Sequence, residues 1–242
     1  EPDGNHTEYT CDAMGNVLTA TDPEGRTTTY TYDLKNQLTA REDDALRKYR
    51  YTYDAAGRLQ SETDPLGNET TYAYDGEGNL TGITDPEGKK ETLLYDALSR
   101  VIGQKDKNGS LTTLYYDPAG NLSKTISAEQ GTEHYAYDPA GNLLSYTDAE
   151  GNETTYAYDP VGRMTKKVLP EGGVCHYTYD TRGSLTSLTE PEGEKTTYTY
   201  DLLGQMTGQT SAGGAAYTYR YDPLGRLIKE SGPNGQTSAY EY

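Results

Sequence analysis

Tyrosines alternate with small polar residues in short segments along the whole chain. Residues 28–32 read Thr-Thr-Tyr-Thr-Tyr and residues 70–74 read Thr-Thr-Tyr-Ala-Tyr. A period of two places successive side chains on opposite faces of a β-strand, and Thr and Tyr both favour strands. The segments are about six residues long, which suits a strand and is too short for a helix. The pattern therefore predicts β-strands that present their rings on one face.

Turn residues separate these segments at regular intervals. Residues 22–25 read Asp-Pro-Glu-Gly and residues 138–141 read Asp-Pro-Ala-Gly. Asp can accept backbone amides at the first position of a type I turn, Pro presets φ at the second, and Gly suits the fourth. Two such turns in each unit predict a β-hairpin, and the chain is interpreted as about eleven hairpins in series.

The turns and rings share a period of 21 residues. An Asp recurs every 21 residues from Asp12 to Asp222. Positions are counted from this Asp, and each repeat is named after it and comprises the segment before the Asp, the turn and the segment after it. The residue directly before it, the proximal tyrosine, is Tyr in every repeat except at Cys11; two places earlier stands the distal tyrosine, replaced by Leu93 and Leu114 in two repeats. Asn36 and Ser99 replace the glycine of the turn. The predicted structural positions include Tyr30, Tyr32, Asp33, Tyr51, Tyr53, Asp54, Gly57, Tyr72, Tyr74, Asp75, Gly78, Tyr135, Tyr137, Asp138, Gly141, Tyr156, Tyr158, Asp159, Gly162, Tyr177, Tyr179, Asp180, Gly183, Tyr198, Tyr200, Asp201, Gly204, Tyr219, Tyr221, Asp222 and Gly225.

One hairpin of this kind cannot bury enough surface to fold alone, so cohesion must come from stacking. We expect tyrosines of neighbouring repeats to pack on one another, with an apolar residue five places after each Asp, such as Leu59, adding to that face. The predicted fold class is all-β: 21-residue hairpin repeats stacked into one array over 1–242 without separate domains. Open twisted sheets of more than about ten strands curl, so we expect a coiled, spiralling wall.

The chain opens on turn residues at 1–4 and stops one residue before the next Asp would fall. We therefore expect a piece of a longer array. Exposed sheet edges at its ends would then make end-to-end self-association a candidate interaction.

The composition of the chain argues against nucleic acid and membrane as partners. Net charge is −17 and 33% of residues are hydrophobic, with no Phe or Trp among 242 residues. An acidic chain has no electrostatic reason to bind nucleic acid. Apolar runs are only a few residues long, so no membrane insertion is expected.

Candidate chemistry is sparse. Cys175 and His176 are adjacent, which on a strand directs their side chains to opposite faces, and we expect Cys11 and Cys175 to be independent thiols. The many carboxylates are interpreted as turn caps and a solvated face. Leu46 and Gln130 mark two irregular turns, with Gly131 indicating a shift of the glycine by one place. No catalytic residue, metal site or cofactor is predicted, and the chain is not expected to be an enzyme.

Two phrases carry a family resemblance. Residues 51–59 read Tyr-Thr-Tyr-Asp-Ala-Ala-Gly-Arg-Leu, and residues 219–227 read Tyr-Arg-Tyr-Asp-Pro-Leu-Gly-Arg-Leu. They resemble the tyrosine-aspartate repeat of the Rhs/YD-repeat family, which includes bacterial polymorphic toxins, insecticidal toxin complex C components and teneurins.

The resemblance covers the whole chain and implies part of a β-sheet shell that encloses or presents a C-terminal toxin or effector. It implies a large secreted or cell-surface protein, bacterial in origin, whose remaining parent chain is the partner. No segment resembles the family's self-cleaving core, so no catalytic residue is transferred.

The alternative function is an extracellular glycan-binding or adhesion module. Exposed tyrosine rings can stack on sugars, although such repeats rely heavily on Trp, which is absent here. The two functions differ in ring exposure: a wall requires mostly protected rings, and an adhesin requires accessible ones.

Overall fold

A computed structural model describes residues 6–242, and the predicted turn at 1–4 lies outside the described residues. The described residues form 23 β-strands and no helix, which confirms the all-β class of hairpin repeats. The first ten strands are β1 (Glu8–Cys11), β2 (Val17–Thr21), β3 (Thr27–Tyr32), β4 (Leu38–Glu42), β5 (Lys48–Tyr53), β6 (Leu59–Thr63), β7 (Glu69–Tyr74), β8 (Leu80–Thr84), β9 (Lys90–Tyr95) and β10 (Val101–Lys105). The others are β11 (Leu111–Tyr116), β12 (Leu122–Ser127), β13 (Gly131–Tyr137), β14 (Leu143–Thr147), β15 (Glu153–Tyr158), β16 (Met164–Val168), β17 (Val174–Tyr179), β18 (Leu185–Thr189), β19 (Lys195–Tyr200), β20 (Met206–Thr210), β21 (Ala216–Tyr221), β22 (Leu227–Ser231) and β23 (Thr237–Ala239).

Contacts divide the chain into two compact units. The first unit comprises the described residues up to Leu114 together with Ser127–Glu129, and the second unit comprises Tyr115–Ile126 and Gln130–Tyr242. Within each, strands that are neighbours in sequence pair antiparallel, as β5 does with β6 and β15 with β16. A single array over the entire chain stays a prediction.

A β-bulge recurs where each strand that carries tyrosines meets the next strand. Tyr53 pairs with Leu59 and Thr52 pairs with Ser61, which leaves Gln60 as the extra residue. The same step occurs at Tyr158, which pairs with Met164. The bulge shifts the register between the two strands by one residue at this point. Proximal and distal tyrosines lie on one face because they are two residues apart on the same strand.

The turns are type I turns closed by a residue in the left-handed region. In the repeat of Asp54, the amide of Gly57 donates to the Asp54 carbonyl at 3.0 Å, and φ of Gly57 is 85°. Asn36, Leu46 and Ser99 adopt the same left-handed φ without being glycine. The Leu46 turn keeps the regular hydrogen bonds, so the prediction of an irregular turn there is wrong. This turn differs from the others only in having Leu where Gly is usual.

The turn at Gln130 does differ from the others. Gly131 carries the positive φ of 83° and already begins β13, which is seven residues long rather than the usual six. The glycine has therefore moved by one place, as the sequence indicated.

The array has almost no conventional core. Among described apolar residues only Ala40 and Cys175 are buried, and most tyrosines in the strands are half-buried on one face. The opposite face carries Thr, Ala and small residues, and Ser61 and Ser187 are buried there between longer neighbours. Cohesion must therefore come from contacts that recur between adjacent strands. None of the described elements has the helical length and apolarity needed to cross a bilayer.

Candidate functional site

The Asp of each repeat organises its own turn. In the repeat of Asp159, carboxylate Oδ1 accepts the amides of Val161 and Arg163, both at 3.0 Å. The backbone amide of Arg163, followed by its guanidinium, holds the pKa of Asp159 below its usual range. The carboxylate is thus a turn cap, as the sequence predicted, and this arrangement recurs along the chain.

The proximal tyrosine connects its repeat to the preceding one. The Tyr179 hydroxyl donates to the carbonyl of Met164 at 2.8 Å, and Met164 belongs to β16, the strand that ends the repeat of Asp159. The accepting residue is in each case the apolar residue five places after the previous Asp. The same bond joins Tyr53 to Leu38, Tyr74 to Leu59, Tyr95 to Leu80, Tyr158 to Leu143, Tyr200 to Leu185, Tyr221 to Met206 and Tyr242 to Leu227.

These bonds correct the expected mode of cohesion. We expected tyrosine rings of neighbouring repeats to pack on each other. The contact that recurs is instead hydroxyl to backbone, and the ring pair with centroids 5.3 Å apart, Tyr135 and Tyr146, involves a residue outside both tyrosine columns. The rings do lie partly buried, and burial raises the pKa of Tyr53, Tyr158 and Tyr200.

The fourth residue after each Asp, which we call the bridge residue, makes a second connection to the following repeat. Arg163 binds Asp159 through Nε at 2.7 Å, and its Nη1 donates to the carbonyl of Asp180 at 3.0 Å. Its guanidinium carbon lies 4.8 Å from the centroid of the Tyr179 ring. Arg58 contacts Asp54, Asp75 and Tyr74 in the same way.

Amide bridge residues serve the same connection without a charge. Asn79 donates to Asp75 at 3.0 Å and to the Ser99 hydroxyl of the next turn at 3.1 Å. Gln37 donates to the carbonyl of Gly57 at 2.8 Å, and a Cβ at Gly57 would lie 3.2 Å from the Gln37 amide nitrogen. The glycine of the turn therefore also makes room for the bridge residue of the preceding repeat.

A polar cluster interrupts the pattern beside the irregular turn. Glu133 accepts hydrogen bonds from Tyr146 at 2.6 Å, Tyr135 at 2.9 Å and Thr125 at 3.0 Å. The Tyr146 hydroxyl bond, followed by those of Tyr135 and Thr125, lowers the pKa of Glu133. The bond to Glu133, followed by burial, raises the pKa of Tyr146 to about 12. Three donors satisfy the carboxylate, so the cluster is a local structural element.

The remaining nucleophiles do not form a catalytic pair. Cys11 is exposed and Cys175 is buried, and both are free thiols, as expected. Burial, followed by the Glu190 carboxylate 3.6 Å from its Sγ, raises the pKa of Cys175. In the part of the chain that the structure describes, no group of three or more His, Cys, Asp or Glu residues is arranged to hold a metal ion.

Comparisons of the sequence agree with this geometry. The sequence profile of the Teneurin YD-shell family matches residues 89–242, well over half of the chain. The chain belongs to the teneurin YD-shell family. The RHS repeat profile also matches this YD-shell chain in four overlapping stretches, at 1–27, 15–48, 35–68 and 53–90. No curated protein matches the chain.

Solved structures share the fold. The chain is similar to the Photorhabdus luminescens Tc holotoxin pore carrying a TccC3 variant, with a TM-score of 0.78 and 19% identity over 94% of this chain and 14% of that one. A crystal structure of TcdB2-TccC3 gives a TM-score of 0.76 and 19% identity over 93% of this chain and 14% of that one. The YD-shell chain thus spans about one seventh of the length of these relatives.

Sequence reasoning found the residue columns but missed two of their contacts. It assigned Asp, Gly and Tyr to turns and one face, where the structure places them. It overlooked the tyrosine-to-carbonyl bond and the bridge residue. A signal for the latter was present, because Arg, Asn, Gln or Ser fills the fourth place after the Asp in every repeat.

Proposed function

We propose that this YD-shell array is a non-catalytic wall segment that encloses or presents a C-terminal toxin or effector of a large secreted or surface protein, of bacterial origin. The observation that carries the proposal is the repeated double connection between adjacent repeats. Tyr179 and Arg163 together join the same two repeats through backbone carbonyls, independently of any hydrophobic core. Such an array can extend repeat by repeat, as a container wall requires.

Its partner is the rest of its own parent chain. The relatives of similar fold are about seven times longer, so a wall segment of this size needs further chain to complete a compartment. The bonds that hold the wall use structural carboxylates and phenols, which favours a non-enzymatic role for this segment.

Protease protection of the parent chain tests the proposal. We expect the C-terminal segment of the intact parent protein to resist digestion and the same segment expressed alone to be digested rapidly. Arg58→Ala combined with Arg163→Ala should increase cleavage of the enclosed segment. Arg26→Ala should not, because Arg26 lies in a turn that joins the opposite ends of the strands. Equal digestion of the free and parent-linked segments would refute enclosure.

The alternative function, glycan adhesion, requires tyrosine rings that are accessible to solvent. Proximal tyrosines are half-buried and donate their hydroxyls to carbonyls, which favours the wall. Solvent perturbation of tyrosine absorbance should leave most rings protected, and a glycan array should give no binder. Broad ring accessibility with saturable glycan binding would favour the adhesin.

A further inference from the structure

A cavity of about 260 Å³ lies on the tyrosine face near the end of β22, within the second unit. Its lining includes Tyr217, Tyr219, Glu230, Gly232 and Gln236. The volume is below the usual range for drug-sized ligands and suits a smaller group. Two departures from the repeat create it.

The first departure is an extra ring. Tyr217 stands five places before its Asp, where Thr is usual, and 42% of Tyr217 is exposed. The second is Gly232, which opens a turn where Asp is usual; a Cβ there would approach the Tyr217 ring to 3.7 Å. Together they leave an aromatic wall beside open space.

A carboxylate faces the same space. Glu230 is the strand partner of Tyr219, and one of its oxygens accepts the Tyr240 hydroxyl at 2.9 Å. No lysine or arginine among the described residues forms an ion pair with Glu230. An acidic group and exposed rings are the elements that attract organic cations.

The chain itself shows what such a constellation accepts. Tyr49 stands at the same place in its repeat as Tyr217, and in the first unit Tyr51 pairs with Glu62 as Tyr219 pairs with Glu230. There the guanidinium carbon of Arg41, the strand partner of Tyr49, lies 4.5 Å from the ring centroid. The internal site is therefore occupied by a guanidinium.

The corresponding partner of Tyr217 is neutral. Gln209 pairs with Tyr217 as Arg41 pairs with Tyr49. We propose that the cavity formed by Tyr217, Tyr219 and Glu230 binds a guanidinium group supplied from outside the array, in the position that Arg41 takes in the first unit. The net charge of −17 further favours a cationic ligand.

Titrations of the intact chain followed by NMR test this assignment, with methylguanidinium and N-acetylarginine amide as probes. Both should give saturable shifts, in the millimolar range, at Tyr217 and Glu230. N-acetylcitrulline amide, which keeps the shape of the arginine probe without its charge, should bind at least about fivefold more weakly. Equal binding of the citrulline probe, or no saturable shift with either cation, would overturn the proposal.

Matched variants locate the site. Tyr217→Thr and Glu230→Gln should each weaken binding at least about fivefold, while Tyr49→Thr should leave it unchanged. Gln209→Arg should abolish binding by filling the site internally, and Arg41→Gln should create a second site at Tyr49. Arg41 is exposed and Gln209 is half-buried, and retained circular dichroism spectra of both variants would show that folding is unaffected. Undiminished binding in Gln209→Arg would contradict the assignment.

The source of the group is decided by a short arginine peptide compared with its citrulline counterpart. Tighter binding of the arginine peptide than of N-acetylarginine amide would identify a polypeptide segment as the ligand. Equal affinity of the two would identify a free guanidinium compound.

Discussion

At the residue scale, the recurring Asp and Tyr side chains form hydrogen bonds with specific backbone groups. Asp159 caps amides of its own turn, and Tyr179 reaches a carbonyl of the preceding repeat. Left-handed backbone closes each turn, where glycine is normally required. Because the array lacks a deep core, these individual bonds carry an unusual share of its stability.

The hydroxyl of Tyr179 can be removed without removing its ring. Tyr179→Phe should lower the free energy of unfolding by about 1 kcal/mol, because the Met164 carbonyl loses its donor. Tyr177→Phe is the matched control, since the Tyr177 hydroxyl has no hydrogen bond within the described residues. Urea unfolding measures both, and equal stability of the two variants would contradict a role for the bond.

Leu46 occupies a left-handed position, with φ of 59°. Strain of about 1–2 kcal/mol for a residue with a Cβ exceeds the entropic cost of glycine, about 0.5–1 kcal/mol. Leu46→Gly should therefore stabilise the chain by about 0.5–1 kcal/mol. Gly67→Leu, at φ of 87° in open space, should destabilise it by a similar amount in thermal or urea unfolding. Destabilisation by Leu46→Gly would show that the exposed leucine makes contacts that outweigh its strain.

Tyr146 should be among the last tyrosines to ionise. Its pKa of about 12 lies above the ordinary value of 10.0, so its contribution to stability is complete below pH 10 and is lost as pH rises through about 12. A pH titration followed by tyrosinate absorbance should show one late-titrating group fewer in Tyr146→Phe than in the unchanged chain. In Glu133→Gln that group should titrate earlier, and an unchanged titration curve would contradict the hydrogen bond. The lowered pKa of Glu133 acts in the opposite direction, since its stabilisation is lost in acid as pH falls through that pKa.

At the element scale, the hairpin was predictable and its cross-repeat contacts were not. Period-two alternation and Asp-Pro-Xaa-Gly turns identified strands and turns, and the structure confirms them. The bulge at Gln60 is invisible in the sequence because no residue type marks it, yet it places Leu59, whose carbonyl accepts the Tyr74 hydroxyl, opposite Tyr53. The proposed cavity at Tyr217 was missed for the same reason: its residues converge only once three strands are in register.

The bridge residue links one hairpin to the next, and Arg163 tests its contribution. Arg163→Ala removes the bond to the Asp180 carbonyl and the contact with the Tyr179 ring, so it should cost about 2 kcal/mol. Arg26 makes the same Nε contact with the Asp of its own turn, Asp22, while 64% of its side chain is exposed. Arg26→Ala should cost under about 1 kcal/mol in the same urea assay. A larger loss from Arg26→Ala would contradict the importance of the connection between repeats.

At the scale of the whole molecule, cohesion should spread through nearest neighbours, as in other repeat arrays. Tyr158 and Tyr179 lie on the two strands that flank β16 and contact the same residue of it. Tyr158 pairs with Met164, and the Met164 carbonyl accepts the Tyr179 hydroxyl. Tyr53 belongs to the first unit and shares no partner with Tyr179. The two pairs therefore separate coupling from simple addition.

Double-mutant cycles measure that coupling. Tyr158→Ala and Tyr179→Ala combined should deviate from the sum of the single effects by at least about 0.5 kcal/mol, because the first loss already loosens the strand that receives the second ring. Tyr53→Ala and Tyr179→Ala combined should be additive within about 0.3–0.5 kcal/mol. If both pairs add equally well, repeats are stabilised independently, and a wall built by sharing contacts would be excluded. Coupling confined to the adjacent pair would instead mean that each repeat depends on its neighbour for part of its stability.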